Sequence, residues 1–507
     1  MTSTFSQAAD AFFVDFFRHY PVHATEAGNH EHDDRWPDLT DAGSAERVAW
    51  LTNQRAQLDA MDGLSREEEI DRRVLRATID ELIFEEEELD EASWSPITYS
   101  YLLGGGLFAL LSREFAPLEE RLASAAGRME GIAAALEQAR ANLTSGRGRA
   151  VAGFHTEKTI ATVPGVADLC RTATEMAADV DTDLRTRVEA AAGTAVEAVD
   201  AFVAWLRDEL LASAGGDFRL GRELYERKFH HALKATITPA ELERRAAAAY
   251  DEVRAEMLRL AKDGWSTWIG DEPMPDDPDT LTRRALDAIA VEHPTADELL
   301  DFCREEHRRI EAFIRERDLI GLAEEPLQII WTPPFLRAFG GAMLIPPGPL
   351  DKGLDSFFAI TPPPEDWTDD QVESMLREYN ARSLRILTIH EAVPGHYLQL
   401  AWSNRCDSLV RAVFGSGVFA EGWAVYVTQV MMDVGYGADD PALLLAHWKY
   451  YLRAITNTLM DIRIHTGTMT EADAMEMMVD GGFQERSEAT EKWNRARLSS
   501  TQLCSYF

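Results

Sequence analysis

Hydrophobic residues recur at intervals of three and four along most of this chain, with glutamate and arginine between them. That period gathers the apolar side chains on one face of an α-helix, as in helices that cover a core. The long segments with this pattern are Leu118 to Leu143, Asp183 to Leu211, Pro239 to Ala261, Thr295 to Arg317, Thr368 to Trp402, Val418 to Val434 and Pro441 to His465. We therefore predict a mainly α-helical protein.

Three short runs, each bounded by proline or glycine, have a different character: Leu327 to Trp331, Ala342 to Pro346 and Phe357 to Thr361. Short apolar runs between such residues are typical of β-strands. We expect them to form a small antiparallel β-sheet inserted in the helical protein. An edge strand of this sheet can bind an extended substrate by strand addition, or the sheet can simply cap the core. The sequence does not decide between these two roles of the sheet.

The chain has 507 residues, of which 46% are hydrophobic, so it can bury a large core. Single cores stop growing beyond about 300 residues, and a chain of this length favours two lobes. We predict an N-terminal helical lobe over residues 1–320 and a C-terminal lobe over residues 321–507 that contains the sheet and the last three long helices. The boundary is soft, because no linker or low-complexity segment marks it.

Charge and cysteine content narrow the class of protein. The formal net charge of -37 at pH 7 repels nucleic acid and anionic membrane surfaces, which argues against both as partners. The 4 cysteines lie far apart without a Cys-x-x-Cys pair, which argues against a disulfide scaffold. The first residues lack the features of a signal peptide, and no run of about 20 apolar residues occurs. We expect a cytoplasmic protein, and the sequence determines no oligomeric state.

The strongest chemical signal is His390-Glu391-Ala-Val-Pro-Gly-His396, followed 25 residues later by Glu421. Two imidazoles and a carboxylate are the ligands of a catalytic zinc site that keeps one position open for water. Glu391, next to the first histidine, is placed to take the proton of that water. The sequence therefore predicts Zn²⁺ as a cofactor, held by His390, His396 and Glu421.

The spacing of the two histidines needs a break in the helix. Residues six apart on an unbroken helix differ by about 600° of rotation, so their side chains would point about 120° apart and could not share a metal. Pro394 and Gly395 lie between them. Proline removes a backbone donor and glycine accepts dihedral angles closed to other residues, so this pair can bulge the helix and return His396 towards His390.

Each of these residues also has a plain structural interpretation. A single histidine in an apolar stretch is more often a hydrogen-bonded core residue, and a Pro-Gly pair more often marks a turn. Glu421 alone would fit a solvated helix face. The combination favours the metal site, because Glu421 lies among apolar residues such as Phe419 and Val425, and a carboxylate in such surroundings needs a partner.

These motifs resemble those of the bacterial family known as domain of unknown function 885, whose members carry His-Glu-Ala-x-Pro-Gly-His and Glu-Gly-Trp-Ala. The likeness runs nearly end to end. Further matching segments are Pro21 to Gly28, Asp33 to Leu39, Leu220 to Tyr225, Ile237 to Leu242, Asp461 with His465, and Gln502 with Ser505 and Tyr506. The resemblance implies a large two-lobed helical fold like that of metallopeptidases, with the sheet beside a zinc site of two histidines and one glutamate.

Some positions depart from the family pattern. Thr428 stands where many members have a second glutamate, Asn457 where we expect an arginine, and Arg463 where a glycine is common. Around Ser499 to Thr501 the usual Trp-Pro-Gly is absent. The resemblance thus implies an intact metal site in a remodelled pocket.

A hydrolase of this kind needs a donor to the developing oxyanion in addition to zinc. Related zinc peptidases use a tyrosine or histidine from a C-terminal segment, and the resemblance points to Tyr506 and His465 for this role. Ordinary helix packing is the alternative for each. The arginines of the C-terminal region that could pair with a free substrate carboxylate are Arg453, Arg463, Arg495 and Arg497.

Three functions are compatible with the sequence. The first is a metallopeptidase that acts on short peptides. The second is a zinc amidohydrolase, or a related zinc enzyme of small-molecule secondary metabolism, and the third is a non-catalytic zinc-binding protein. The presence of Glu391 argues against the third, because zinc binding alone does not require that carboxylate. We therefore predict a zinc-dependent hydrolase of amide or peptide bonds, with a small peptide or small amide as its substrate.

Overall fold

The computed structural model describes residues 4–333, 337 and 341–507, and most of them are helical, as predicted. The helices of the first part of the chain are α1 (Thr4–His19), α2 (Pro21–Ala27), α3 (Asp41–Asp59), α4 (Arg66–Phe84), α5 (Glu91–Trp94), α6 (Ile97–Ser112), α7 (Leu118–Thr144), α8 (Gly153–Thr162), α9 (Pro164–Met176), α10 (Thr182–Trp205) and α11 (Leu211–Ser213). The later helices are α12 (Arg222–Leu233), α13 (Pro239–Trp268), α14 (Pro278–Ala290), α15 (Leu299–Arg317), α16 (Asp369–Glu378), α17 (Ala381–Glu391), α18 (His396–Ser403), α19 (Leu409–Val413), α20 (Gly417–Asp433), α21 (Pro441–His465), α22 (Glu471–Met475) and α23 (Arg486–Leu498).

Most of the predicted long helices are confirmed, and α21 begins and ends at the predicted residues. The segment from Thr368 to Trp402, predicted as helical with a bulge at Pro394 and Gly395, forms α16, α17 and α18, so it has one break more than predicted. Asn380 separates the first two: its side chain accepts two backbone N–H groups from the first turn of α17 and so caps that helix. Within the described residues, no helix combines the length and the apolar character that crossing a membrane requires.

The chain divides into two compact units. The first comprises Met1–Leu220, Pro347–Leu354 and Asn404–Phe414, and the second comprises Gly221–Pro346, Asp355–Ser403 and Gly415–Phe507. The main division therefore lies at residues 220 and 221, well before the boundary expected near residue 320. The physical reason is that α13 and α14, although they precede the sheet in sequence, pack on α21.

A cluster of phenylalanines forms one core of the first unit. Phe12, Phe13 and Phe16 of α1 are buried and pack against Leu51 of α3 and Ile79 of α4. Phe12 and Phe16 lie with their ring centroids 5.7 Å apart in a stacked arrangement. Elsewhere in this unit α7 and α10 pack along each other, with α9 alongside α10.

His30 fastens the segment Pro347–Leu354 to the rest of the first unit. Its Nδ1 lies 2.8 Å from Asp33 Oδ2 and its Nε2 lies 3.1 Å from Asp351 Oδ1. The imidazole also stacks on the Phe115 ring at a centroid distance of 3.7 Å. Burial by itself lowers the pKa of His30, but the hydrogen bonds to Asp33 and Asp351 outweigh it and raise the pKa to about 9.

The second unit has a core on each side of α17. On one side α15, α17, α18 and α20 share a cluster that contains Ile310, Ile389, Leu398 and Val427. On the other side the sheet packs against α15, α16 and α17. Because α17 carries the first two residues of the predicted zinc motif, both cores fix the position of that motif.

The three predicted strands are β1 (Leu327–Trp331), β2 (Ala342–Ile345) and β3 (Ser356–Ile360). They form a sheet in the order β1-β3-β2, in which β1 pairs with β3 in parallel and β2 pairs with β3 antiparallel. The prediction of an antiparallel sheet is therefore wrong for the first pair. The connections that flank β2 are long enough for β3 to enter between the first two strands. This order buries Phe358 and Ile360 of β3 and leaves β2 at an edge.

Candidate metal centre

The two histidines of the motif meet at a break between helices. Helix α17 ends at Glu391 and α18 begins at His396, so the residues between them turn the chain where the sequence predicted a bulge. Gly395 makes this turn possible, because a Cβ atom built there would lie 1.9 Å from the carbonyl oxygen of His390. The ring centroids of His390 and His396 are 4.6 Å apart, with the ring planes at 82°.

Glu421 of α20 lies close to both imidazoles. Its Oε2 lies 3.7 Å from His390 Nε2 and 3.4 Å from His396 Nε2. Hydrogen bonds between nitrogen and oxygen normally measure about 2.7–3.2 Å, so both contacts are longer than good hydrogen bonds. Ligands of a tetrahedral zinc ion lie about 3.3–3.6 Å from one another, given zinc–ligand bonds of about 2.0–2.2 Å. The spacing therefore fits a shared metal ion better than direct hydrogen bonding.

Polar atoms of this centre lack protein partners. Within the described residues, Glu421 Oε2 and His390 Nδ1 are buried and make no hydrogen bond. Leaving a buried carboxylate oxygen without a partner is costly unless a cation binds it. The residues at the centre thus fit a divalent metal ion.

Glu391 also lies close to the histidines. One carboxylate oxygen of Glu391 and one nitrogen each of His390 and His396 lie within 4.8 Å of one another. Two carboxylates are therefore near the imidazoles, and the distances of 3.4 and 3.7 Å from Glu421 Oε2 are close to the edge of a zinc tetrahedron.

The two carboxyl groups have opposite electrostatic environments. Burial raises the pKa of Glu391, although the neighbouring histidines and the backbone N–H of Leu344 in β2 favour its charged form. Burial also tends to raise the pKa of Glu421, but the two imidazoles outweigh it and the pKa is lowered. The first environment suits a base that picks up a proton, and the second suits a metal ligand that stays ionised.

Tyr506 is close enough to Glu421 to be influenced by its charge. Burial raises the pKa of its phenol, and the Glu421 carboxylate raises it further. The phenol oxygen accepts a hydrogen bond from Gln502 Nε2 at 3.2 Å and a weak one from Arg495 Nη2 at 3.5 Å. Because these two donors occupy the acceptor positions of the oxygen, the phenol proton remains available for donation.

Asp461 of α21 holds the C-terminal segment that carries Tyr506. Its side chain is 0% exposed and accepts three hydrogen bonds: from Tyr225 Oη at 2.7 Å, from the Thr501 N–H at 2.9 Å and from the Leu503 N–H at 3.2 Å. The resemblance matched Asp461 to a position of the family but implied no role for it. Its role in the structure is to fix this segment against α21.

His465, the other predicted oxyanion donor, lies in the same C-terminal packing. Its Nε2 lies 2.9 Å from the carbonyl oxygens of both Ala496 and Ser499, and its ring stacks on Tyr225 at a centroid distance of 5.6 Å. A ring nitrogen that donates to backbone carbonyls is not available to an oxyanion. The Glu421 carboxylate thus acts on Tyr506, whereas His465 makes the packing contacts that were its alternative.

Tyr450 of α21 contacts the centre, and sequence analysis did not single it out. The ring centroid of Tyr450 lies 5.5 Å from that of His390, and burial raises the pKa of the tyrosine well above its usual value. Lys449 and Arg453, on either side of Tyr450, each form an ion pair with a glutamate.

Two of the positions that depart from the family pattern, Thr428 and Asn457, are buried. Thr428 is 0% exposed and donates its hydroxyl proton to the Val425 carbonyl oxygen at 2.7 Å, which satisfies it within its own helix. Asn457 is also buried, and its Oδ1 has no hydrogen-bond partner among the described residues. Arg463 pairs with Glu243 at 2.8 Å.

Comparisons with known proteins agree with the end-to-end resemblance. A family model described as "Bacterial protein of unknown function (DUF885)" matches residues 21–507. The chain is similar to the structure of a "putative lipoprotein of unknown function" from Shewanella oneidensis, with 32% identity and a TM-score of 0.85 over 99% of this chain and 91% of that chain. It shares its fold with a "putative lipoprotein" from Colwellia psychrerythraea, at 15% identity and a TM-score of 0.80 over 100% of this chain and 91% of that one. No curated protein matches the chain.

Proposed function

We propose that this chain, which belongs to the DUF885 family of bacterial proteins of unknown function, is a zinc-dependent hydrolase of amide or peptide bonds that acts on short peptides. One observation carries the proposal: Glu421 Oε2 lies 3.4 and 3.7 Å from two imidazole nitrogens, close to the edge length of a zinc tetrahedron, and has no hydrogen-bond partner among the described residues. Glu391 beside this set distinguishes a hydrolytic centre from a structural metal site.

Zinc held by His390, His396 and Glu421 would polarise a substrate carbonyl and lower the pKa of a water molecule. Glu391 then acts as the general base. Its buried position raises the pKa of the carboxyl group, so that the group can accept the proton of the attacking water and pass it to the leaving nitrogen. The hydroxyl of the water adds to the acyl carbon, and the bond from that carbon to nitrogen breaks as the amine takes the proton.

Tyr506 supplies the second donor to the carbonyl oxygen. The hydrogen bonds that its own oxygen accepts from Gln502 and Arg495 hold the phenol while leaving its proton free. A donor fixed before the reaction stabilises the developing negative charge without reorganising in the transition state.

The edge strand β2 favours a peptide as the substrate. β2 pairs with β3 along one edge, and the backbone N–H of Leu344 in this strand contributes to the electrostatics of Glu391. A strand edge beside the catalytic base can bind an extended peptide through main-chain hydrogen bonds. This arrangement presents the peptide carbonyl to the metal centre.

A small-molecule amidohydrolase is the second candidate. The specific observation in its favour is that two buried polar positions on α20 and α21 differ from the family pattern, with Thr428 and Asn457 in place of a carboxylate and a guanidinium. Smaller neutral side chains change the shape and charge of the pocket without affecting the ligands. A non-catalytic zinc-binding protein is the least favoured of the three functions, because it gives Glu391 no role.

A cytoplasmic location is part of the same proposal. Its support is that the 4 cysteines are all free in the structure, as is usual in a reducing compartment. The two related structures are described as lipoproteins, and that description concerns those proteins. Fractionation of cells that produce the full-length protein at native level tests the location, with recovery in the membrane fraction as the contradicting result.

The function is tested by supplying zinc-loaded protein with a library of dipeptides and tripeptides and, separately, with a panel of small amides. We expect turnover of peptides, and we expect Glu391→Gln to lower kcat by a factor of at least about 100 while it keeps zinc and fold. Turnover of small amides alone would favour the second candidate. Equal activity in zinc-replete wild type and Glu391→Gln would contradict the assigned base.

A further inference from the structure

Two neighbouring tyrosines of α21 pack in different cores of the second unit. Tyr451 lies against Trp448 and Phe507, at ring-centroid distances of 6.0 and 6.2 Å, in the core that α13, α14 and α21 share. Tyr450 packs instead against the cluster of α15, α17, α18 and α20, where its ring centroid lies 5.5 Å from that of His390. Successive residues of a helix point about 100° apart, so α21 brings only the first of this pair to the candidate metal centre.

The Tyr450 hydroxyl makes no hydrogen bond with the part of the protein that the structure describes, although its ring is half-buried. The buried tyrosines differ in this respect. Each of them donates its hydroxyl proton to a carbonyl or carboxylate oxygen, as at Tyr99, Tyr225, Tyr397 and Tyr436. A phenol carries its proton at neutral pH, since its ordinary pKa is about 10. Tyr450 therefore has a proton to donate beside a predicted metal ligand.

Two ion pairs fix the stretch of α21 that carries Tyr450. Lys449, the residue before it, pairs with Glu378 of α16 at 2.8 Å. Arg453, about one turn after it, pairs with Glu488 of α23. The four charged side chains are only 15–29% exposed, so salt and water screen these pairs less than they screen surface pairs. The phenol is thus held in place before a substrate binds, as a group that stabilises a transition state must be.

We propose that the Tyr450 hydroxyl donates a hydrogen bond to the carbonyl oxygen of the peptide bond that is cleaved, as a second phenol in addition to Tyr506. This inference rests on the proposed hydrolase function and names a further catalytic residue for it. The carbonyl oxygen becomes an oxyanion as the water adds, and a charged acceptor forms stronger hydrogen bonds than a neutral one. The contact therefore strengthens in the transition state, and the phenol keeps its own proton throughout.

Binding measures this contact without turnover. Zinc-loaded Glu391→Gln protein is titrated calorimetrically with a tripeptide and with its phosphinic analogue, in which a tetrahedral phosphinate replaces the amide to be cleaved. Adding Tyr450→Phe should weaken binding of the phosphinic analogue about 10- to 100-fold, the range for a hydrogen bond to a charged group, and change the affinity for the tripeptide little. Phenylalanine keeps the aromatic ring beside His390. Tyr451→Phe is the matched control and should leave both affinities unchanged, because that phenol lies in the other core.

Kinetics separate this inference from the function on which it rests. Tyr450→Phe alone should lower kcat about 10- to 100-fold with KM nearly unchanged. If peptides are hydrolysed and Tyr450→Phe keeps the wild-type kcat and the affinity for the phosphinic analogue, the hydrolase function stands and the role of Tyr450 is overturned. Equal weakening of both ligands, or loss of zinc from Tyr450→Phe, also overturns it, because either result shows a structural role. If the zinc-loaded protein binds neither ligand and hydrolyses no peptide, the function and the inference both fall.

Discussion

The C-terminal segment should leave the metal centre when Asp461 is changed to asparagine. The carboxylate of Asp461 accepts the Tyr225 hydroxyl at 2.7 Å and the Thr501 N–H at 2.9 Å through Oδ1, and the Leu503 N–H at 3.2 Å through Oδ2. Asparagine keeps one oxygen, but its amide N–H₂ cannot accept the third hydrogen bond. In Asp461→Asn a donor therefore faces the buried N–H of Leu503.

The loss of docking free energy in Asp461→Asn follows from these contacts. A hydrogen bond to a charged group contributes about 1.5–3 kcal/mol, and a buried N–H left unsatisfied costs about 1–3 kcal/mol. Losing one such bond and weakening the other two should cost about 2–4 kcal/mol, most of it in the docking of residues 500–507. At about 1.4 kcal/mol for each factor of ten, local opening should become about 30- to 1000-fold more frequent.

Hydrogen exchange measures this opening directly. The amides of Thr501 and Leu503 should exchange faster in Asp461→Asn by the factor above, while the amides of α7 in the other unit keep their wild-type rates. The value of kcat should fall as these amides lose their protection from exchange, because Tyr506 lies on the released segment. Asp277→Asn is the matched control: Asp277 also accepts a backbone N–H, from Thr280 at 2.8 Å, but at an exposed helix start. Wild-type exchange at Thr501 and Leu503 in Asp461→Asn would refute this account of the docking.

Two further substitutions test other parts of the structure. Tyr506→Phe should lower kcat by roughly 100- to 1000-fold with little change in KM, because the phenol contact is made in the transition state; a wild-type kcat would remove Tyr506 from the mechanism. For His30 the folded pKa of about 9 exceeds the unfolded value of 6.5, so its contribution to stability is complete below pH 6.5 and is lost as the pH rises through 9. With 28% of the side chain exposed, we expect about 1–2 kcal/mol from its bonds to Asp33 and Asp351. His30→Gln should therefore flatten the decline of thermal stability between pH 6.5 and 9, and an unchanged decline would contradict this assignment.

Local sequence pattern predicted the long helices from Leu118 onwards but missed others, among them the amphipathic helices α1, α9 and α14. Helix α21 was predicted to the residue because its apolar positions and its N-terminal proline are both local signals. Helix α6 was not predicted, since apolar residues lie almost all round it and no amphipathic period marks it. The order of the sheet was also beyond local pattern, because whether β3 pairs between β1 and β2 depends on packing against α15 and α17.

The candidate site likewise combines residues that the local sequence pattern identified with residues that it missed. His390, His396 and Glu421 were identified because their chemistry and spacing are written in one stretch of sequence, and the structure brings them together. Tyr450 was missed because it reaches His390 from a helix that is distant in sequence. Tyr506 and His465 both lie in C-terminal segments that match the family, so sequence analysis assigned them the same predicted role. Only long-range contacts distinguish their surroundings in the structure.

The measurement that tests the central claim most directly is the zinc content of the protein, determined by elemental analysis after purification without added metal. We expect close to one zinc ion per chain in the wild type, and loss of that zinc in His396→Ala, since three protein ligands are needed to hold a catalytic zinc ion. Circular dichroism should show that His396→Ala keeps its helices, so that the loss of metal is not a loss of fold. Wild-type protein without zinc even after incubation with the metal, or full zinc occupancy in His396→Ala, would contradict the account.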